Sequence, residues 1–465
     1  MVRTERDSLG EKELPDDVYY GIQTQRAVEN FPVSGIRESE DLIRAYVILK
    51  KAAALVNMEL GELDEERGNS IVKAADGVLE GGFEDQFPVD VFQAGAGTSF
   101  NMNVNEVLAN RALEILGKER GNYGYLSPND HVNMAQSTND TFPTATHISV
   151  VTAVDRLMPV LEKLSEALTE KAEEFCMISK SGRTHLMDAV PVTLGDEFRA
   201  YASAIKRAAE RISQRRNDLL EIPIGGTATG TGANAHPEFR DQMVKKLSEL
   251  TSTDYIASRS MFEGLQSRSQ LVALSSSLKE LALELIRIAN DLRLLGSGPT
   301  TGLAEIELPA VQPGSSIMPG KVNPVMAECL NMICFHVLGN DTAVSYAGQA
   351  GQLELNVMTP VMAHNILFPL TILTNYLPVF TEKCVRGIEA DEERCKLFLN
   401  MNPSMATLLS PKIGYLKAAE IAKESVEKKI PVEELAIQKG IVTPEEAKKI
   451  FDPQKNILCR PLKDI

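Results

Sequence analysis

A run of leucine and isoleucine residues spaced alternately three and four residues apart places the strongest constraint on the fold of this chain. The positions are Leu271, Leu274, Leu278, Leu281, Leu285, Ile288, Leu292 and Leu295. This spacing lines one face of an α-helix over several heptads. Gly296 follows as a natural C-cap, and no proline occurs between Pro237 and Pro299. The pattern therefore predicts one very long helix whose apolar seam packs against other helices.

Further helices are predicted by the same kind of spacing. They are Val154–Leu168 with a kink at Pro159, Glu197–Leu220, Pro324–Asn340, Lys417–Ile441 and Thr443–Phe451. Apolar residues make up 43% of the chain, but aromatic residues only 5% and Trp is absent. A core of aliphatic residues and Met fits helices better than strands.

Between these helices lie stretches rich in Gly, Ser and Thr, which predict loops. They are Ala94–Asn105, Ser127–Pro143, Ser181–Gly195, Gly225–Asn234 and Gly296–Pro324. We predict a mainly α fold, a long helical bundle with smaller N- and C-terminal domains, that carries its chemistry at the connections. The predicted divisions are residues 1–138, 139–393 and 394–465.

Charge and composition exclude several classes of protein. With 48 Lys and Arg against 64 Asp and Glu, the net charge is −16, and no basic stripe offsets it, which disfavours nucleic-acid binding. The most apolar stretch, Met362–Phe380, contains His364, two asparagines and two prolines, so it is not a membrane span. The six cysteines form no CxxC pair or zinc spacing, and the N-terminus lacks an apolar signal segment. We expect a cytoplasmic protein with reduced thiols.

The most specific motif is the sequence GSSIMPGKVNP, Gly314 to Pro324. It is not a P-loop, because five residues rather than four separate its glycines and Val322 follows Lys321 in place of Ser or Thr. What remains is a pair of hydroxyls on a glycine-flanked loop, followed by a cation and an amide. Backbone N–H groups on such a loop attract anions, and Lys321 adds a full positive charge.

This loop resembles the signature of the aspartase/fumarase superfamily, whose members eliminate a group from a succinyl skeleton to give fumarate. Four other stretches resemble the family in the same order along the chain. They are Gly95–Asn103, Ser127–Asp140, Gly182–Ala189 and Gly225–Gly232. The resemblance runs from about Asp7 to Pro453.

Several positions are more similar to aspartases than to class II fumarases. They include the sequence Ala-Gly-Thr-Ser at residues 96–99, Thr138 in Gln-Ser-Thr-Asn-Asp, and the stretch Ala350–Met358. Ser127 stands where fumarases carry a His. The resemblance thus implies reversible deamination of L-aspartate to fumarate and ammonia. The alternatives are a class II fumarate hydratase, a lyase for a modified aspartate, and a non-catalytic structural relative. Thr300 replaces a usual Arg, and Asn402–Thr407 is also atypical, which leaves room for a modified substrate.

The resemblance implies a role for each matching residue. Ser315 is the expected general base that removes the proton next to the β-carboxylate, with His185 and Lys321 as the other catalytic residues. The expected contacts are Thr98, Ser137, Thr138 and Ser316 to the β-carboxylate; Thr184, Lys321 and Asn323 to the α-carboxylate; and Asn139 and His185, with Thr98, to the amino group. Glu328 matches a supporting residue that partners the active-site histidine. Taken singly, Ser137 and Thr138 also fit a helix N-cap, and His185 a structural histidine.

A serine is a weak base, so its ionised form needs stabilisation, for which Lys321 and the loop amides are the candidates. The resemblance also implies a homotetramer in which three subunits share each active site, and the leucine seam is the surface expected to assemble it. No organic cofactor or metal is expected to be required, although divalent cations activate some aspartases.

Overall fold

Helices make up most of this chain, as its computed structural model shows for residues 2–452. In chain order the helices are α1 Ile22–Asn30, α2 Glu40–Glu59, α3 Glu65–Glu80, α4 Thr98–Ile115, α5 Thr138–Glu174, α6 Leu194–Asp218, α7 Phe239–Thr251, α8 Met261–Gln266, α9 Ser269–Leu295, α10 Val325–Gln349, α11 Thr359–Lys383, α12 Glu392–Met401, α13 Ser410–Ile413, α14 Tyr415–Lys428, α15 Val432–Gln438 and α16 Pro444–Ile450. The predicted mainly α class is confirmed.

The strands are short and pair only two by two within the described residues. The antiparallel pairs are β1 Val2–Asp7 with β2 Gly10–Pro15, β3 Ser179–Thr184 with β4 Met187–Thr193, and β7 Ile306–Glu307 with β8 Glu389–Ala390; β5 Glu221–Ile222 and β6 Ile256–Ala257 are parallel. The β3–β4 hairpin occupies a stretch that was predicted to be a loop. That prediction was wrong because cross-strand hydrogen bonds order a segment that has no apolar periodicity.

The leucine seam forms one face of α9, and Gly296 N donates to Leu292 O at 3.0 Å where the helix ends. Every seam residue from Leu271 to Leu292 is at most 2% exposed. The seam is therefore core within one chain, and the prediction that it assembles subunits is wrong. Exposed apolar residues lie instead on α10, where Met332, Phe335 and Tyr346 are 57–68% exposed.

Two polar stretches that were predicted to be loops contain helix starts. Helix α4 begins at Thr98 and α5 at Thr138, and α5 continues through Pro159 to Glu174. Beyond the exposed Thr98, the first three turns of α4 are buried, including Asn101 and Asn103. Burial and side-chain hydrogen bonds stabilise these segments as helix in spite of their polar sequence.

The other predicted helices are found with shifted ends. Helix α6 starts three residues before Glu197, α10 continues to Gln349, and the predicted Lys417–Ile441 helix is divided into α14 and α15. The break includes Lys429, with φ of 56°, and Pro431, which does not continue a helix. Thr443 and Glu446 form a capping box at the start of α16.

The described residues belong to two compact units. The first unit lies within Met1–Met158, Glu210–Ala282 and Phe335–Thr374, and the second within Pro159–Ala209, Leu283–Cys334 and Asn375–Ile465. Aromatic rings of Tyr46, Phe100 and Phe142 pack in the first, with centroids 5.4 and 5.8 Å from that of Tyr46. In the second, Leu399, Leu409 and Leu435 belong to a buried apolar cluster.

The three-part division of the chain stays a prediction. Five of the six cysteines are free thiols, and Cys459 lies outside the described residues. Of the helices described, none is both long enough and apolar enough to cross a bilayer.

Candidate active site

The first unit carries four of the predicted substrate-binding residues at the starts of two helices. Thr98 is the first residue of α4, and Ser137, Thr138 and Asn139 surround the start of α5. The first N–H groups of a helix have no intrahelical acceptor and attract negative charge. Both helix starts are therefore suited to bind a carboxylate.

The chain leading into α4 is fixed by close packing. Gly97 has φ of 85°, and a Cβ there would lie 2.0 Å from the ring of Phe142, so only glycine fits. Ala96 N donates to Val357 O at 2.7 Å. The Gly95–Asn103 motif is thereby joined to the Ala350–Met358 stretch, another of the aspartase-like segments.

The start of α5 is held by its own side chains. Ser137 Oγ accepts from Asn139 N at 3.2 Å, so Ser137 caps the helix. Asn139 Nδ2 donates to Ala228 O at 2.8 Å, and Thr138 Oγ1 accepts from the buried Asn101 Nδ2 at 2.9 Å. Both predicted uses of Ser137 and Thr138, as helix start and as anion contact, are compatible with this geometry.

Asp140 connects this helix start to the Gly225–Gly232 motif. One carboxylate oxygen accepts from Ser137 N at 3.0 Å, and the other from Gly225 N at 3.1 Å and Thr227 N at 2.8 Å. Burial raises the pKa of Asp140 to about 7, although its three backbone hydrogen bonds act in the opposite direction. The glycine-rich turn thus serves as the support of α5.

The second unit carries the Gly314–Pro324 loop. Its ends are joined by two hydrogen bonds, Gly314 N to Lys321 O at 2.8 Å and Asn323 Nδ2 to Gly314 O at 2.5 Å. A Cβ at Gly314 would lie 2.6 Å from Asn323 N, so this closure requires glycine. Between the closed ends the loop faces solvent, and Ile317 is 83% exposed.

Ser315 Oγ accepts from two amides of its own loop, Ile317 N at 3.3 Å and Met318 N at 3.0 Å. Such donors favour the ionised form of a hydroxyl. Ser315 is half-buried, whereas Ser316 and Lys321 are exposed. Two candidates were named for stabilising the ionised form of Ser315. The loop amides donate hydrogen bonds to its Oγ, whereas the hydrogen bond of Lys321 within the loop is made by its backbone carbonyl, to Gly314 N.

Thr184 and His185 lie at the tip of the β3–β4 hairpin. His185 and Leu186 form its two-residue turn with φ of 56° and 59°, the left-handed values of a type I′ turn. Such values are unfavourable for residues other than Gly, Asn and Asp, so the turn carries backbone strain. The side chains of Thr184 and His185 are exposed.

The hairpin is anchored at its buried root. Arg183 donates to both oxygens of the fully buried Glu305, at 2.8 and 2.9 Å, and Lys180 Nζ lies 3.0 Å from the same carboxylate. Asn402 Nδ2 donates to Ser181 Oγ at 2.8 Å and to Ala189 O at 2.6 Å. Asn402 belongs to the atypical Asn402–Thr407 stretch, which therefore supports the hairpin.

The remaining predicted residue, Glu328, lies in the first turn of α10 and is half-buried. Its backbone N donates to Pro324 O at 3.1 Å, where the signature loop continues into the helix. Its expected role as the partner of a histidine stays a prediction, as do the roles of the other site residues.

Several supporting residues were missed by sequence reasoning. Beneath the start of α5, the buried Lys50, Asn101 and Asp140 and the half-buried Asn133 and Gln136 form a polar group. One signal was present in the sequence, since Lys50 stands four residues after Tyr46 and four before Ala54, on a helix face that is otherwise apolar.

Family models and curated proteins match this chain over most of its length. A family model described as lyase matches residues 10–339, and one described as fumarase C C-terminus matches residues 405–455. An aspartate ammonia-lyase from Bacillus sp is 50% identical over 452 residues, 97% of each chain. A class II fumarate hydratase from Bacillus anthracis is 45% identical over 456 residues, 98% of each chain.

A solved structure is similar over nearly the whole chain. The fumarate lyase:delta crystallin from Brucella melitensis, bound to cobalt, superposes with a TM-score of 0.95 at 45% identity, covering 98% of this chain and 99% of that one. This likeness confirms the predicted fold class.

Proposed function

The chain belongs to the fumarase/aspartase superfamily of lyases, and from this premise we propose that it is an aspartate ammonia-lyase. The proposed reaction is the reversible deamination of L-aspartate to fumarate and ammonia. The observation that carries the proposal is Ser315, whose Oγ faces two amide N–H groups on the signature loop. The 50% identity to an aspartate ammonia-lyase favours this member of the superfamily.

In the proposed reaction Ser315 Oγ, as an alkoxide, removes a proton from the carbon next to the β-carboxylate. The electron pair of that C–H bond moves into the carboxylate, which becomes a doubly charged aci-carboxylate. The pair then returns to form the C=C bond while the C–N bond breaks and ammonia leaves. Positioned donors must stabilise the extra charge of the intermediate, because the C–H proton is very weakly acidic.

The two helix starts supply such donors for the β-carboxylate. Thr98, Ser137 and Thr138 lie in the first turns of α4 and α5, where backbone N–H groups and helix dipoles favour an anion. Ser316 is the proposed fourth contact. Thr184, Lys321 and Asn323 would bind the α-carboxylate, and Asn139, with His185, the amino group.

Ser127 also favours an aspartase. Its Oγ accepts from Asn129 N at 3.2 Å and from Asp130 N at 3.1 Å, so the hydroxyl is used to cap the turn that follows. Class II fumarases carry a His at the matching position, and an imidazole ring differs from a hydroxyl in both size and reach. The hydrogen bonds of Ser127 therefore favour an aspartase, in which no His is needed at this position.

We propose that the active protein is a homotetramer with active sites shared between three subunits. The predicted site residues are divided between two units of the chain, and α10 has an exposed face without charge at Met332, Phe335, Gly339, Thr342 and Tyr346. An exposed face of this composition favours burial against another subunit. The absence of a required organic cofactor, activation by divalent cations and the cytoplasmic location stay predictions.

The test is to supply purified protein with L-aspartate, L-malate and a few N-substituted aspartates and to follow the ultraviolet absorbance of fumarate. Formation of fumarate and ammonia from aspartate is the expected result. Turnover of malate but not of aspartate would instead identify the protein as a class II fumarate hydratase. The 45% identity to such an enzyme supports this alternative. A tetramer inactive on all of these compounds would indicate a structural relative.

A further inference from the structure

Lys50, in the middle of α2, is a fully buried cation that the proposed reaction does not use. Its side chain is 0% exposed, and its Nζ donates to Asn133 Oδ1 and to Gln136 Oε1, each at 2.9 Å. Both acceptors are neutral amides. Burying an ammonium without a hydrogen-bonded carboxylate costs free energy, and the burial lowers the pKa of Lys50 to about 7.

A short chain of hydrogen bonds joins this ammonium to a predicted substrate contact. Asn133 Oδ1, which accepts from Lys50, also accepts from Asn101 Nδ2 at 3.3 Å. Asn101 Nδ2 donates in turn to Thr138 Oγ1 at 2.9 Å. Asn101 is 1% exposed and Thr138 8%, so little water competes for these bonds.

The same ammonium holds the turn that precedes α5. Ala135 within this turn has φ of 60°, a strained value for alanine. Asn133 Nδ2 donates to Gln136 O at 3.2 Å, and Gln136 Nε2 donates to Met134 O at 3.0 Å. Because Lys50 binds the side-chain oxygens of both Asn133 and Gln136, it holds the two ends of the strained turn together.

Lys50 also opposes a buried negative charge. The titratable groups that face it are Asp140, on α5, and Tyr46, on its own helix, whose ring centroid lies 5.8 Å from Nζ. Tyr46 Oη is engaged with Thr141 Oγ1 at 3.2 Å. Without Lys50, the carboxylate of Asp140 would repel an anion that approaches the start of α5.

We propose that Lys50 is a positioning residue for the carboxylate-binding end of α5. It places Thr138 through Asn133 and Asn101, and its charge offsets that of Asp140 so that the helix start attracts a substrate carboxylate. The proposal deepens the proposed function and rests on it in one respect, since it takes the substrate to be a dicarboxylate.

The test compares two neighbouring lysines of α2. Lys51 forms an ion pair with Asp76 at the surface, so Lys51→Met is a matched control for Lys50→Met. The probes are succinate, a saturated dicarboxylate that cannot eliminate, and succinamate, in which a neutral amide replaces one carboxylate. Inhibition constants for both are measured against the best substrate of the wild-type protein, together with kcat and KM.

For Lys50→Met we expect the inhibition constant of succinate to rise about tenfold and that of succinamate to rise much less. KM should rise along with the succinate constant, and Lys51→Met should leave all values within about twofold. An unchanged succinate constant in folded Lys50→Met protein would overturn the proposal. Equal losses for both inhibitors would overturn it too, because a merely structural role does not distinguish a carboxylate from an amide.

A second variant covers the case in which Lys50→Met does not fold. Asn133→Asp keeps the lysine and places a carboxylate against its ammonium, which should give the same selective loss of succinate binding. Unchanged succinate binding in this variant would contradict the proposal. If the wild-type protein turns over malate and not aspartate, the proposed function is refuted but the proposal for Lys50 is not. Succinate and succinamate still test Lys50 in that case, because both can be measured against malate.

Discussion

The start of α5 and the Gly314–Pro324 loop each carry predicted site residues, and they are held in place by different means. Thr138 is 8% exposed and accepts a hydrogen bond from the buried Asn101, which Asn133 links to the buried Lys50. The ends of the signature loop are joined by hydrogen bonds of Gly314 with Lys321 and Asn323, and most of its side chains face solvent. The buried helix start is suited to bind a carboxylate, whereas the exposed loop carries Ser315, the proposed base.

This difference predicts that a substitution on the loop changes chemistry without changing stability. Ser315→Ala should lower kcat by at least about 10²–10⁴-fold, the usual contribution of a general base, and leave assembly and the thermal midpoint unaltered. Ser137→Ala should instead reduce stability by about 1 kcal/mol, because Ser137 caps α5. Kinetics and thermal denaturation of both variants check the contrast, and near-wild-type turnover by Ser315→Ala would show that another group is the base.

The β3–β4 hairpin combines both situations, because its tip is exposed and its root is buried. Glu305→Gln should destabilise the protein by about 3–5 kcal/mol, because it leaves the cations of Lys180 and Arg183 buried with less opposing charge. Activity should also fall, since the root positions Thr184 and His185. The measurement is denaturation with Glu307→Gln as control, because Glu307 is exposed in the adjoining strand β7 and its replacement should shift stability by less than about 0.5 kcal/mol. Equal stability of both variants would contradict the anchoring role of Glu305.

The buried support of α4 should make stability depend on pH. Gln93 Nε2 donates to Glu38 Oε1 at 2.8 Å and Gln93 Oε1 accepts from Phe100 N at 2.9 Å, while burial, with a smaller contribution from Asp90, raises the pKa of Glu38 to about 8. Between the ordinary pKa of 4.5 and 8 the folded state binds the proton and the unfolded state does not. The contribution of Glu38 to stability therefore falls as pH rises through that window, by at most about 1.4 kcal/mol per pH unit.

Glu38→Gln should remove this dependence, so that its thermal midpoint relative to wild type improves from pH 5 to pH 8. Glu40→Gln, at an exposed position in the first turn of α2, should show no such trend. A constant difference between Glu38→Gln and wild type across this range would mean that the carboxyl group is already ionised in the folded protein.

The predictions from sequence succeeded where apolar spacing was long and regular. Helix α9 ends at Leu295, the last residue of the seam, α6 differs from its predicted span by two or three residues at each end, and α10 differs mainly at its C-terminal end. The predictions from sequence failed where polar residues are buried. Asn101 and Asn103 were assigned to a loop because the stretch Ala94–Asn105 is rich in Gly, Ser and Thr, yet both lie in α4. The purpose of the seam was also misjudged, since spacing alone does not show whether a face packs within a chain or between chains.

The sequence by itself determined the mainly α fold, the family and the positions of the five polar motifs, because helical periodicity and motif spacing are local properties of the chain. The tertiary structure decided that Thr98 and Thr138 begin helices, that Asp140 is held by the Gly225–Gly232 motif and that Lys50 lies beneath the start of α5. These contacts join residues far apart in sequence. These contacts are strong because water is excluded from them, and each hydrogen bond and charge interaction is stronger in the absence of water. No single segment of the chain can exclude water by itself.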